Sequence, residues 1–200
     1  MTNANRSTKT VKLALYALLT ALLIVLGYVN IPQPAGLSIT FNMIPVAIAA
    51  IALGVPGGAV IGGVFGLISF LQCFGLVGYS GMGAALVGIS PVLTFIQRFV
   101  SRVLVGVLTA LVYRALRKKL NVYLCCLITG FCAAFFNTLF FMSSLVLLFG
   151  NTEYIQQMMA GRSVIVFIIA SVGLNAVVEM IVAALVTGAV GAALKRARLI

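Results

Sequence analysis

The chain has 200 residues, 63% of them hydrophobic and only 8% charged, whereas soluble domains carry roughly a quarter charged residues; the composition excludes an ordinary soluble domain. Thirteen Lys and Arg against two acidic residues give a formal net charge of +11, a balance that in a soluble protein points to nucleic acid. Here apolar segments divide the charges into short clusters with no continuous basic face, so no nucleic-acid partner is expected and the explanation is topological.

There is room for about six membrane spans of ~20 residues. The first is expected at 11–29. It is long for a signal-peptide core, and Asn30-Ile-Pro-Gln-Pro follows it rather than a small-residue cleavage site, so it reads as a retained span. A Pro-, Gly- and Ser-containing outer loop leads to a short span 2 at 39–53, interrupted by Pro45. Val55-Pro-Gly-Gly predicts a tight cytoplasmic turn. Span 3 (59–74) carries Gly62, Gly63 and Gly66, small residues that let helices approach closely. A second outer loop is punctuated by Gly75, Gly78, Gly81, Gly83 and Gly88. Ser90-Pro91 then reads as N-cap and first helical position, opening span 4 (91–113). Span 5 covers 122–149, the polar stretch 150–163 is the longest outer loop, and span 6 covers 164–194. A re-entrant hairpin made of spans 2 and 3 satisfies the charge pattern equally well; their apolar length favours two crossings.

Ten of the thirteen basic residues fall into three groups: Arg6, Lys9 and Lys12; Arg114, Arg117, Lys118 and Lys119; Lys195, Arg196 and Arg198. The positive-inside rule makes each group cytoplasmic. The expected architecture is therefore all-α and polytopic: a single integral membrane domain of six transmembrane helices, with both termini cytoplasmic. Cys73, Cys125, Cys126 and Cys132 form no C-x-x-C pair and read as small core residues.

No catalytic constellation is visible. The chain has no His, no G-x-S-x-G, no Walker lysine and no paired carboxylates, so neither enzymatic activity nor a metal or cofactor is expected. Polarity inside the spans stands out instead. Arg98 and Arg102 lie one turn apart on the same face of span 4, roughly 10 and 17 Å into the helix at 1.5 Å per residue. An intramembrane charge costs ~2.5–3.5 kcal/mol at the helix centre on insertion scales and so faces the bundle interior. Two readings stand side by side: a cationic patch for an anionic ligand, or a structural ion pair with Glu179, the only intramembrane acid. Asn175 lies one turn before Glu179. With Asn137, Gln72 and Gln97 these side chains suit a small polar solute, although each taken singly serves equally well as interhelical glue. Asn42 and Tyr79 are expected at the mouth of such a pocket; Tyr154 and Arg162 read first as solvated loop residues and second as residues that close it. Ala14, Ala17 and Ala21 form a small-residue stripe on span 1, a face suited to close helix packing.

The chain resembles the substrate-binding S components of energy-coupling factor (ECF) vitamin transporters. The likeness covers nearly the whole length and rests on six spans, the alanine motif, and the stretches Phe41-Asn-Met-Ile-Pro-Val, Ala52-Leu-Gly-Val-Pro-Gly-Gly-Ala and Gly88-Ile-Ser-Pro-Val-Leu-Thr-Phe-Ile. The resemblance implies a bacterial plasma-membrane subunit that binds a vitamin near the outer face. It further implies docking through Ala17 and Ala21 on a transmembrane coupling protein driven by two cytoplasmic ATPases. The segment pattern is most similar to the pantothenate type, and Arg98 and Arg102 favour a carboxylate-bearing vitamin; folate and riboflavin stay open. A stand-alone secondary carrier and a purely structural membrane protein are the alternatives from other classes.

Overall fold

The computed structural model describes residues 3–29, 31–32, 38–161, 163–197 and 200. Helix α1 covers Asn3–Tyr28. A minimal antiparallel ladder follows, β1 (Ile31–Pro32) against β2 (Ser38–Ile39), with Ile31 opposite Ile39. Helix α2 covers Met43–Leu71 and passes into a 3₁₀ turn at Gln72–Phe74. The remaining helices are α3 (Gly81–Ile89), α4 (Pro91–Leu116), α5 (Val122–Phe149), α6 (Glu153–Met159) and α7 (Val164–Arg196). Among the described residues, five segments are long and apolar enough to cross a membrane: Lys9–Tyr28, Met43–Phe74, Pro91–Leu116, Val122–Phe149 and Asn175–Arg196. Their outward faces carry exposed apolar side chains such as Leu13, Leu18, Val60, Val92 and Leu147. An apolar exterior around buried arginines is the pattern of a helix bundle solvated by lipid.

Local sequence sets most helix starts. The side chains of Ser80, Ser90, Asn121 and Ser163 accept from the backbone N–H three residues on, at 3.2, 3.4, 2.9 and 3.5 Å, satisfying donors the helix itself leaves unpaired. Ser90-Pro91 opens α4 as its spacing predicts.

Helix α2 is a hairpin rather than a rod. Gly54 sits at φ 70°, ψ −157°, a region open essentially to glycine alone, and the backbone reverses there. A Cβ at Gly57 lies 2.9 Å from the carbonyl oxygen of Ala49, whereas residues eight apart in a continuous helix are separated by about 12 Å along the axis. The reversal thus comes at Gly54, one residue before the expected Val55-Pro-Gly-Gly turn, and Pro56 opens the second arm. The first arm, 43–53, begins later than the expected 39–53 because Ser38 and Ile39 belong to β2. Pro45 does not interrupt it: it lies in the first turn, where a missing N–H costs no helical bond. Eleven residues rise only about 16 Å, roughly half of a ~30 Å hydrocarbon core. Residues 40–42 therefore end inside the bundle.

Helix α1 extends back to Asn3, beyond the expected first span, so the first basic cluster rides on a helix. Two further expectations are corrected. Gly81, Gly83 and Gly88 belong to α3 rather than to a loop, since Ser80 caps a turn that leads into the apolar Ala84-Ala-Leu-Val run. The 150–163 stretch contains α6.

Close backbone contact joins the second arm of α2 to α4. A Cβ at Gly58 would meet the backbone of Gly106, and one at Gly62 would meet the Arg102 carbonyl oxygen. One at Gly66 would lie 2.8 Å from Phe99 Cα. The numbers run in opposite directions, so the two helices are antiparallel. In the same way Gly130 of α5 abuts Ala183 and Thr187 of α7. Helix α1 is more peripheral, contributing Leu19 and Leu23 to a core shared with Val46, Ile61, Phe65 and Val105. At the end of the bundle where α4 begins and α5 finishes, α3 and α6 close over it through Met82, Leu86, Met142, Phe149 and Ile155.

Candidate functional site

Helix α4 brings its polar face into the bundle. Gln97, Arg98, Ser101 and Arg102 are all buried, although α4 is lipid-exposed at Val92, Phe95, Ile96 and Val100. Arg98 is 6% exposed; its Nη1 donates to Ser69 Oγ at 3.0 Å and its Nη2 to Ser80 Oγ at 3.3 Å. The first turn of α3 lies directly on this guanidinium: a Cβ at Gly83 would sit 2.9 Å from Nη2 and 2.6 Å from Cys73 Sγ. Arg102, 5% exposed, is held differently. Its Cζ lies 4.9 Å from the centroid of Phe65 and 5.1 Å from that of Phe141, while Arg98 Cζ is 5.3 Å from the same Phe141 ring. All three are within cation–π range, so two guanidinium ions share the Phe141 ring.

The polar groups here are incompletely satisfied. Among the described residues, Arg98 Nε, Arg102 Nε and Arg102 Nη1 have no hydrogen-bond partner, nor do Gln97 Oε1, Asn137 Oδ1 and both side-chain polar atoms of Asn42. Buried polar groups are paired in the great majority of cases, and each exception calls for an explanation. Gln97 spends its amide N–H on the Phe141 carbonyl at a long 3.5 Å. Ser101 donates to the Gln97 carbonyl and faces Ser144 Oγ at 3.3 Å.

Glu179, 9% exposed, does not neutralise the arginines by contact. Its Oε1 accepts from the Thr40 backbone N–H at 2.8 Å, and no ion pair joins it to either guanidinium. The Thr40 contact is possible because the short first arm of α2 leaves residues 40–42 inside the bundle. The structural ion pair weighed for Arg98, Arg102 and Glu179 is therefore absent from this structure.

The other named side chains divide. Asn42 and Asn137 are buried and Asn175 is half-buried. Gln72 is buried, with its Nε2 donating to the Gly27 carbonyl at 3.0 Å, which ties the 3₁₀ turn to α1; the sequence had placed it with the pocket. Tyr79 is 66% exposed on the loop before α3. It is near enough to Tyr154 of α6 to act on its phenol, which burial first, and Tyr79 second, push above the usual tyrosine range. Arg162 lies outside the described residues. Ala14, Ala17 and Ala21 are all exposed on one side of α1. Sequence reasoning missed Ser69, Ser80, Phe65, Phe141 and Thr40. Ser80 was findable as the cap of a helix within the supposed loop; one phenylalanine among 13 carries no signal until the fold places it.

An apolar helical exterior around a buried, positively charged and partly unpaired polar centre is the pattern of a multi-pass membrane protein. The family described as ECF transporter, substrate-specific component, matches residues 11–191, and the chain belongs to it. It is thus a substrate-specific component of an ECF transporter. Comparison with curated proteins finds no match.

Proposed function

We propose that this subunit binds a small carboxylate-bearing vitamin, with pantothenate the favoured solute. The observation that carries the reading is the set of unpartnered N–H donors on Arg98 and Arg102. Two cations buried side by side over one ring repel each other, and an anion between them removes that penalty while forming charge-assisted hydrogen bonds. Pantothenate has one carboxylate, two hydroxyls and an amide. The carboxylate suits the guanidinium donors, and the hydroxyls and amide suit Asn42, Gln97, Asn137, Asn175 and Glu179. Tyr79 belongs to the outer mouth in this reading. Gln72 serves it only indirectly, by holding α1.

The topology belongs to the same proposal. The chain crosses the bacterial plasma membrane six times, the short second crossing being made by the first arm of α2 with the extended residues before it. Both termini and the 114–119 cluster face the cytoplasm, as the positive-inside rule requires. The vitamin enters from the outer side, beneath α3 and α6. The exposed Ala14, Ala17 and Ala21 face docks on the transmembrane coupling protein, whose two ATPase partners supply the energy.

Calorimetric titration of the purified chain with a vitamin panel tests the binding reading. Pantothenate is expected to bind stoichiometrically with a submicromolar Kd; a folded protein that binds none of the panel would overturn it. The docking reading predicts that Ala17→Trp leaves this Kd within about threefold, because the side chain points away from the bundle, yet abolishes ATP-driven uptake in reconstituted vesicles. Undiminished uptake by the Trp variant would remove α1 as the docking face.

A further inference from the structure

A second, smaller site lies at the opposite end of the bundle, where the α2 hairpin turns beside the last turn of α4. A groove of about 240 Å³ is lined by Ile51, Ala52, Tyr113, Arg114 and Arg117, with Ile200 at its edge packed on the same floor. Its volume falls below the roughly 300–1,000 Å³ of pockets that enclose whole drug-sized ligands. The floor is apolar, resting on the cluster of Ile51, Tyr113, Cys125 and Cys126. Arg114 and Arg117 are exposed at the rim and, three residues apart, share one side of the helix end. Among the described residues neither guanidinium makes a hydrogen bond or ion pair to the protein. The lipid-facing surface beside the groove continues with Leu111 and Leu104, 43% and 42% exposed.

We propose that this groove binds the phosphate headgroup of an anionic phospholipid of the adjacent leaflet, Arg114 and Arg117 clamping the phosphate. The acyl chains run along Leu111 and Leu104. Charge complementarity selects the anion, since arginine's planar fork matches phosphate geometry. The apolar floor and the position at the membrane boundary of α4 select a lipid over a free ion, which gains nothing from apolar walls. Lys118 and Lys119 share the positive cluster but do not line the groove, which separates a built site from diffuse attraction of a basic surface to an acidic membrane. The inference does not depend on which solute the central site holds.

The test is native mass spectrometry of the purified full chain titrated with phosphatidylglycerol or phosphatidylcholine. Phosphatidylglycerol is expected to bind at least tenfold more tightly. The double substitution Arg114→Gln/Arg117→Gln should erase that preference, and Lys118→Gln/Lys119→Gln should change it by less than threefold. Ala52→Phe, which narrows the groove without altering charge, should also erase it, and it decides the matter if the arginine variant does not fold. Equal binding of both lipids, or equal losses from the arginine and lysine pairs, would overturn the proposal. So would inorganic phosphate competing at the molarity of the lipid, which would mark a free-anion site. A loss of coupling-protein binding in the arginine variant with lipid preference intact would overturn it as well, making the groove a protein interface.

Discussion

Arg102→Gln is expected to weaken binding of the solute by about 100- to 1,000-fold, in line with the 2–5 kcal/mol lost when one partner of a buried charge pair is removed, without lowering the thermal stability of the ligand-free protein. Arg102 makes no hydrogen bond among the described residues; only Phe65 and Phe141 touch its charge. It is therefore a net cost to the unliganded fold, as an unpaired charge shielded from water must be, and neutralising it also relieves repulsion from Arg98. Arg98→Gln should behave differently. It breaks the bonds to Ser69 and Ser80, loosening α3 from the bundle, and so should lower both affinity and Tm. Titration and thermal unfolding of the two variants side by side make the comparison. A Tm drop in Arg102→Gln as large as that in Arg98→Gln would show that both arginines are structural. Unchanged affinity would remove Arg102 from the site.

Gly106→Val should yield no monodisperse folded protein. Its Cβ would strike the Gly58 carbonyl group, with the carbonyl carbon at 2.6 Å and Gly58 Cα at 3.3 Å. All of these atoms are backbone, so no rotamer change relieves the clash. Overpacking a core costs typically about 1–3 kcal/mol when side chains can shift; here two helices must separate. In a bilayer that separation forfeits the van der Waals contact that holds small-residue interfaces together, because lipid offers no hydrophobic drive to restore it. Gly63→Ala is the control. Its Cβ would lie 3.6 Å from the Phe99 ring and Val103, ordinary contact, and the variant should unfold within a few degrees of the parent. Size-exclusion profiles and Tm values check both. A monodisperse Gly106→Val protein would mean that α2 and α4 are not locked by backbone contact. The consequence reaches the site: Gly62 and Gly66 abut the backbone at Arg102 and Phe99, so the face of α2 that excludes side chains also sets where the arginines stand.

Helices α4 and α5 were legible nearly to the residue. Ser90-Pro91 and Asn121 are local caps, and a cap acts through the chain's own neighbouring N–H groups. The arginine pair was legible for a related reason: a charge on an apolar segment has one tolerable direction, inward, whatever the fold. Span 2 was misjudged because Pro45 carries a different meaning in the first turn of a helix than in its middle, and the register of that turn depends on residues 38–39 pairing with 31–32. Helix α3 was hidden by Gly81, Gly83 and Gly88, which lower helix propensity. They are tolerated because α3 is held by packing on α4 and by the Arg98 guanidinium, which lies against the bare face of Gly83.

The sequence by itself determined the class of protein, an all-helical membrane chain with an inward-facing cationic stripe, because hydropathy, charge clustering and capping are properties of short segments. Tertiary structure alone decided what the stripe meets. Glu179 turns to the Thr40 N–H instead of to an arginine, Arg98 is tied to Ser69 and Ser80, and Arg102 is left with aromatic faces and unpaired donors. Those outcomes follow from the reversal at Gly54 and the depth at which its short first arm ends, which bring together residues as far apart as 40 and 179. No local pattern encodes a contact across 139 positions; the packing of the helices between them does.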